Sequence, residues 1–147
     1  MADFLTGMRI SGSGMAAQRQ RINTISSNIA NINTTRTPGG EGPYKRKDVV
    51  FEALPDSKNF GEMVSVFPER DLHRVQVTEI RQDQKAPLLK YEPDHPDANA
   101  EGNVAYPNIN LMEEMTNMIQ ATRLYDANVS AIQATKDMAL SALEIGR

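Results

Sequence analysis

The sequence predicts an α+β fold, with long N- and C-terminal α-helices that pair as a coiled-coil-like arm and a small β-rich middle domain. Two observations support this prediction: apolar residues recur every seven positions at both ends of the chain, and apolar residues alternate with polar ones in the middle. The 147 residues, of which 39% are apolar, suit one modest domain with extended arms. We divide them into an N-terminal helix over 1–35, a loop and β-rich unit over 36–108, and a C-terminal helix over 109–147.

The N-terminal helix is indicated by two rows of residues at seven-residue spacing. One row is Met8, Met15, Ile22 and Ile29, and the other is Phe4, Ser11, Gln18, Ile25 and Ile32. Most of these positions are apolar, which is typical of a helix that packs along a seam. Glycines at positions 7, 12 and 14 each cost about 1 kcal/mol relative to alanine, so the helix should be weak by itself.

Three asparagines, Asn28, Asn31 and Asn33, cluster at the end of this helix. Polar groups in a helical interface cost stability, but they penalise wrong registers because a slipped partner leaves them unpaired. We interpret the cluster as a register-selecting feature, with simple exposure to water as the alternative.

The middle of the chain has a different pattern. Glycine and proline over 35–43 end the helix and predict a loop. Beyond it, the segments 49–54, 63–67 and 72–80 are β-like, and in the last of them the apolar residues Val75, Val77 and Ile80 alternate with polar ones. The stretch 91–107 is rich in proline, aspartate and asparagine, so it is expected to be an ordered but irregular connection.

Helical periodicity returns over 109–145, a stretch without glycine or proline that would form a helix about 55 Å long. One heptad row is Met115, Thr122, Val129, Lys136 and Leu143, and its companion is Leu111, Met118, Tyr125, Ile132 and Ala139. Asn108 or Asn110 can serve as the N-cap. Both ends of the chain are therefore predicted to be helical arms.

A further row on the C-terminal helix comprises Leu124, Ala131, Met138 and Ile145. At about 100° per residue, this row lies on a different side of the helix from the first two. One partner helix cannot cover both sides, so we expect neighbouring chains to cover the second. The alternative is a wide apolar face buried within a single domain.

Composition excludes several classes of protein. The absence of cysteine excludes disulfides, thiolate nucleophiles and cysteine-bound zinc. A net charge of −3, with a basic run only over 45–47, gives no nucleic-acid site. No apolar stretch approaches the roughly 20 residues that cross a bilayer, and the first residues lack the pattern of a signal peptide. We therefore expect neither membrane insertion nor a cleaved signal.

Two other functions compete with an assembly role. A metal-assisted hydrolase could use Asp94, His95, Asp97 and Glu101, but their spacing matches no helical ligand pair and the interleaved prolines favour a turn. We predict no enzyme activity, metal or cofactor. A membrane-surface protein could lay its apolar arms on lipid, but the C-terminal arm carries more acidic than basic residues.

The N-terminal helix also carries a recognisable motif. It consists of Ser11-Gly12, Ala17-Gln18, Arg21 and the run over 25–34, which contains Ala-Asn-Ile-Asn-Thr. This motif resembles the N-terminal signature of the bacterial flagellar axial proteins, the family of rod and hook subunits. Three further stretches, over 37–47, 94–108 and 115–140, resemble a subunit of the proximal rod. The resemblance spans almost the whole chain and is weakest over 53–90.

The resemblance implies a structural subunit that polymerises through its terminal helices into the hollow rod, the drive shaft that crosses the periplasm and encloses the export channel. It implies export by the flagellar type III apparatus without signal cleavage. The implied partners are copies of itself, rod proteins of the B, F and G types, the basal-body adaptor at the rod base and the export apparatus. Another rod or hook subunit, or a coiled-coil adaptor outside the family, are the alternatives.

The residues expected at the assembly interface lie on both helices. They are Met8, Met15, Ile22, Ile25, Asn28, Ile29, Asn31, Ile32, Asn33, Leu111, Met115, Met118, Tyr125, Val129, Ile132 and Leu143.

Overall fold

The computed structural model describes residues 2–39, 42–55 and 73–145. In chain order, these residues form helix α1 (Ala2–Ala30), four strands and helix α2 (Leu111–Ile145). The strands are β1 (Lys47–Pro55), β2 (His73–Gln82), β3 (Leu88–Tyr91) and β4 (Asn103–Tyr106). The predicted α+β class, with a helix at each end and small antiparallel sheets between them, is confirmed. The predicted strand over 63–67 lies outside the described residues.

Helix α1 ends at Ala30, before the predicted boundary near 35, because local hydrogen bonds close its last turn. The Asn31 side chain donates from Nδ2 to the Ser27 carbonyl at 2.8 Å and accepts from Thr34 Oγ1 at 3.2 Å. The backbone N–H of Ile32 bonds to the carbonyl of Ile29, a tighter turn than that of an α-helix. The asparagine side chain thus adds a second hydrogen bond to the Ser27 carbonyl, which also accepts the backbone N–H of Asn31 at 3.2 Å.

The first sheet consists of β1 and β2, which pair antiparallel along their full lengths. Val77 and Glu79 pair with consecutive residues of β1, so Thr78 between them is a β-bulge. The bulge adds one residue to the alternation of β2. It therefore accounts for the step of three residues from Val77 to Ile80 in the apolar pattern of this strand.

A second sheet, formed by β3 and β4, corrects the prediction of an irregular connection over 91–107. The two strands pair antiparallel from Leu88 opposite Tyr106 to Tyr91 opposite Asn103. Strands of four residues are too short to show a clear alternation in the sequence. Gly102 precedes β4 with φ of +80°, and a Cβ there would lie 2.8 Å from Tyr91 Cε2, so the turn requires glycine.

Helix α2 starts at an asparagine cap, and Asn110 is the one of the two candidates that provides it. Its Oδ1 accepts the backbone N–H of Met112 at 3.0 Å, and its carbonyl accepts the N–H of Glu114 at 3.0 Å. Asn108 instead donates from its side chain to the Ala86 carbonyl at 3.2 Å. This bond links the segment just before β3 to the segment just before α2.

Helix α1 lies between α2 and the first sheet and packs against both. The two helices approach closely at Gly14, where a Cβ would lie 3.1 Å from Asn128 Nδ2. The buried apolar residues of the described part are few: Ala17, Ile25, Tyr44, Val104, Pro107, Ile109 and Ala121. So small a core leaves most of the apolar surface of α2 uncovered within one chain.

The stability of the second sheet is expected to depend on pH through one cluster of ionisable side chains. Glu92 pairs with Lys90 and accepts the phenolic hydrogen of Tyr106 at 2.7 Å. The hydrogen bond from Lys90 lowers the pKa of Glu92, and the hydrogen bonds to Glu92 raise the pKa of both Lys90 and Tyr106. The lowered carboxyl pKa stabilises the sheet above about pH 4.5, and this contribution is lost as pH falls. The raised pKa values stabilise it below about pH 10, and that contribution is lost as pH rises.

Amide hydrogen exchange at residue 92 tests this expectation, because the backbone N–H of Glu92 donates to the Gly102 carbonyl at 2.9 Å next to the last pair of the sheet. Corrected for the intrinsic rate, protection should be greatest between about pH 5 and 9. In Glu92→Gln the acid side of the profile should flatten. Equal profiles in the two proteins would contradict the assignment.

Candidate functional site

A buried polar junction joins the end of α1 to the start of α2. Asn28 is 0% exposed and Glu114 is 1% exposed, and Asn28 Nδ2 donates to Glu114 Oε2 at 3.0 Å. The two residues are 86 positions apart in the sequence. Because buried polar groups are costly unless they are hydrogen-bonded, each must keep its partners for the helices to stay together.

Asn28 uses all of its hydrogen-bonding capacity in this junction. Besides Glu114, its Nδ2 donates to the Lys47 carbonyl at 2.8 Å, while its Oδ1 accepts the Lys47 N–H at 2.9 Å and the Tyr44 hydroxyl at 3.1 Å. An amide group has two donors and two acceptor positions, and all four are filled. The side chain therefore bonds to both backbone groups at the start of β1 and ties the first sheet to α1.

Arg46 completes the junction from the other side of Glu114. Its Nε and Nη2 lie 2.9 Å and 2.8 Å from Glu114 Oε1. Burial alone would lower the pKa of Arg46, but the hydrogen bond and the charge of Glu114 outweigh it and raise that pKa. Glu114 also lies in the first turn of α2, where the helix dipole favours a negative charge. Charge-assisted and neutral hydrogen bonds therefore join three segments of the chain: the end of α1, the start of β1 with the residue before it, and the start of α2.

The other asparagines of the predicted cluster have different environments. Asn31 bonds within the turn that ends α1, and Asn33 is exposed. Just beyond them, Thr35 Oγ1 donates to Asp97 Oδ2 at 2.8 Å, which fastens the loop after β3 to the end of α1. Within one chain, Asn28 is therefore the member of the cluster that connects the helices.

The predicted interface residues of α1 are mostly shielded by the chain itself. Ile25 and Asn28 are buried, Met8, Met15, Ile22, Ile29, Asn31 and Ile32 are half-buried, and Asn33 is exposed. Helix α1 lies between α2 and the first sheet, so these positions contribute to the packing of one chain.

The predicted interface residues of α2 divide into two groups. Met118, Tyr125, Val129 and Ile132 are half-buried, whereas Leu111, Met115 and Leu143 are exposed. The shielded positions of α2 include a run with alternating steps of four and three residues: Glu114, Met118, Ala121, Tyr125, Asn128, Ile132, Thr135 and Ala139. The predicted row that contains Met118, Tyr125 and Ile132 therefore packs on α1. Its predicted companion row, which contains Met115 and Leu143, does not share this contact face.

Residue size explains this difference. The row that replaces the predicted companion contains Ala121 and Asn128, and the latter packs against Gly14. A close approach of two helices requires small side chains, whereas a hydrophobic periodicity ranks residues by apolarity alone. An alternating spacing of four and three that counts small and polar residues as well as apolar ones would have identified the face of α2 that packs on α1. The sequence carried no signal that Tyr44 contacts Asn28 or that Arg46 contacts Glu114.

The further apolar row of α2 is uncovered at each of its positions with a described side chain. Leu124, Ala131 and Met138 are exposed, with Met138 at 65%, and the side chain of Ile145 lies outside the described residues. The alternative that this row is buried within a single domain is therefore wrong for the three described residues. Exposed apolar side chains in such a row are typical of a surface that binds another protein.

The acidic loop before β4 has the geometry of a turn. His95 Nδ1 accepts the backbone N–H of Asp97 at 3.1 Å, and the His95 ring meets the ring of Tyr106 edge to face. Across the described ranges, no group of three or more histidine, aspartate or glutamate side chains is arranged to hold a metal ion. Nor does any helix in that part of the chain have the length and apolarity to cross a membrane.

Comparisons with known proteins match both ends of the chain and then nearly all of it. Residues 8–36 match the family model of the flagella basal body rod protein, and residues 100–145 match that of the flagellar basal body rod FlgEFG protein C-terminal region. The flagellar basal-body rod protein FlgC of Borreliella burgdorferi is 39% identical over 97% of both chains. That of Bacillus subtilis is 39% identical over 95% of this chain and 96% of the relative. The Salmonella typhimurium protein is 36% identical over 94% of both.

Proposed function

The chain belongs to the FlgC family of flagellar basal-body rod proteins and is a structural subunit of that rod; from this we propose that it polymerises through its terminal helices into the hollow drive shaft around the export channel. The exposed apolar face of α2 carries this proposal. Met112 is 71% exposed, Met138 65% and Leu143 67%, although all three belong to a helix that already packs on α1. Burying one such side chain contributes about 1.5 to 3 kcal/mol, so contacts between subunits would provide the burial that the single chain lacks.

The pairing of α1 with α2 is proposed to be coiled-coil-like. The shielded positions of α2 alternate in steps of four and three, which is the spacing of a coiled-coil seam. Such a pair would present its remaining faces to neighbouring pairs. A close-packed bundle of helices resists shear because its interior is poorly compressible, as a shaft under torque requires.

We propose that the rod crosses the periplasm and that its subunits are exported by the flagellar type III apparatus without cleavage of a signal. Its proposed neighbours are copies of this chain, rod proteins of the B, F and G types and the basal-body adaptor. A helix weakened by Gly7, Gly12 and Gly14 suits transport in an unfolded form, since its ordering can be coupled to docking. The predicted interface residues that remain exposed on α2 would then be covered in the polymer.

Deletion of the gene tests this function. We expect cells without it to stop flagellar assembly before the hook and to be non-motile, with rods absent from purified basal bodies by electron microscopy. A plasmid copy of the unaltered gene should restore both. Hooks on basal bodies of the deletion strain would contradict the proposal.

A further inference from the structure

Two groups of charged residues of opposite sign lie at opposite ends of the second sheet. The loop between β3 and β4 contains four carboxylates over 92–101 and no lysine or arginine. At the other end, where β3 begins and β4 finishes, the basic residues Lys45, Arg46 and Lys85 lie beside the strands. The proposed polymerisation by itself assigns no role to either group.

The acidic loop is held in one conformation by its own hydrogen bonds. Asn99 Oδ1 accepts the backbone N–H groups of Glu101 at 3.0 Å and Asn103 at 2.8 Å, and Asn99 N–H donates to the Asn103 carbonyl at 2.9 Å. The carboxylates of Asp94 and Glu101 are on exposed residues. The loop therefore presents negative charge on a fixed backbone, at little entropic cost for a partner that binds it.

The basic end contains a cleft of about 200 Å³. Its lining residues are Pro43, Tyr44, Lys45, Arg46, Asp83, Lys85, Pro87, Pro107 and Asn108. Arg46 is engaged by Glu114, and Lys85 lies 3.7 Å from Asp83 with most of its side chain exposed. Lys45 is exposed as well. The prolines give the cleft rigid apolar walls, and the two lysines supply the positive charge that an acidic loop would need.

One chain cannot bring its own loop into its own cleft. The pair Tyr91 and Asn103 is next to the loop, and the pair Leu88 and Tyr106 is next to the cleft. Three steps along a strand separate these pairs by about 10 Å, and the loop and the cleft lie beyond them on either side. Contact between loop and cleft must therefore join two molecules head to tail.

We propose that the acidic loop over 92–101 of one copy docks into the basic cleft around Lys45 and Lys85 of the next copy. The proposal rests on the proposed polymerisation and names a contact within it, outside the helical bundle. Contacts between different surfaces of identical chains generate rings or helical filaments, whereas a two-fold contact would close a dimer. Complementary charge fixes the register of such a contact and speeds docking.

Cross-linking in assembled rods tests the contact directly, because the chain has no cysteine of its own. The double variant Gln84→Cys with Ala100→Cys places one thiol next to the cleft and one in the loop and retains every charged residue. Treatment of purified basal bodies with a short bis-maleimide should give a ladder of covalent multimers of this chain. Each single variant should give no multimers, because it has a thiol either in the loop or beside the cleft and the cross-link requires both.

Charge reversal supplies the second readout. In the double-cysteine background, Lys45→Glu with Lys85→Glu should reduce the multimer yield at least about tenfold, as should Asp94→Lys with Glu101→Lys. Combining the four reversals should restore the yield, because the charges are again complementary. Motile cells whose double-cysteine rods give no multimers, or multimers with a different protein only, would overturn this contact and leave the rod function standing. Absence of rods from the unaltered strain would overturn the rod function itself.

Discussion

Replacing Glu114 with alanine is expected to lower the free energy of unfolding of the purified chain by about 3 kcal/mol. The substitution removes the buried partner of the Arg46 guanidinium, whose Nη1 also lies 3.7 Å from the exposed Asp48 carboxylate, and it removes the acceptor of one Asn28 Nδ2 hydrogen. Loss of one member of a buried ion pair costs about 3 to 5 kcal/mol, and the lower end applies because the Arg46 side chain retains 20% exposure. Urea unfolding followed by circular dichroism at 222 nm measures the change.

The neighbouring residue provides a matched control. Glu113 has the same side chain in the same first turn of α2, but it is exposed. Glu113→Ala should cost less than about 1 kcal/mol, the usual size of a charge effect at a helix end. Equal losses in the two variants would show that the helix dipole, rather than the junction, accounts for the effect.

An independent substitution tests the same junction from α1. Asn28→Asp keeps the shape of the side chain but replaces the Nδ2 donor with an oxygen. That oxygen would face the Lys47 carbonyl and Glu114 Oε2, now at 2.8 Å and 3.0 Å from Nδ2. A buried acceptor opposite two acceptors is unpaired, so a loss of at least about 2 kcal/mol is expected. Unaltered stability would contradict the hydrogen bonds assigned to Asn28.

Most of the secondary structure could be predicted from local patterns. The heptad rows predicted both helices, β-like composition predicted β1, and the apolar alternation predicted β2. The second sheet could not be predicted in this way because each of its strands has only four residues. The cap of α2 was predicted as Asn108 or Asn110, and only the hydrogen bonds of Asn110 distinguish the two.

The candidate site could be predicted only in part, because it depends on contacts between distant segments. Asn28 was predicted as an assembly-interface residue at the end of the N-terminal seam, but its partner Glu114 comes from the other end of the chain and Arg46 from the loop between. Periodicity states which face of a helix is apolar and does not state which face meets which neighbour. The choice between two rows of α2 depended on the small residues around Gly14, a matter of size rather than hydrophobicity.

Replacing Met138 with aspartate is expected to abolish motility while the isolated chain keeps its stability to within about 0.5 kcal/mol. Met138 is 65% exposed, so the single chain gains little from its burial. In the proposed rod, the same position would lie against a neighbouring helix, where an unpaired charge must be stripped of water at a cost of several kcal/mol. Every subunit carries the change, so the cost recurs at each contact along the shaft.

Swimming in soft agar and electron microscopy of basal bodies measure the effect of Met138→Asp, and Met138→Leu is the matched control. Leucine preserves the apolar surface at nearly the same volume, so cells with this variant should swim normally. The two substitutions at Glu114 and Met138 should therefore separate folding from assembly: one lowers the stability of the single chain, and the other leaves it intact but prevents polymerisation. Normal rods in Met138→Asp cells would show that this face of α2 stays in contact with water after assembly. The apolar row that includes Leu124 and Ala131 would then need another explanation.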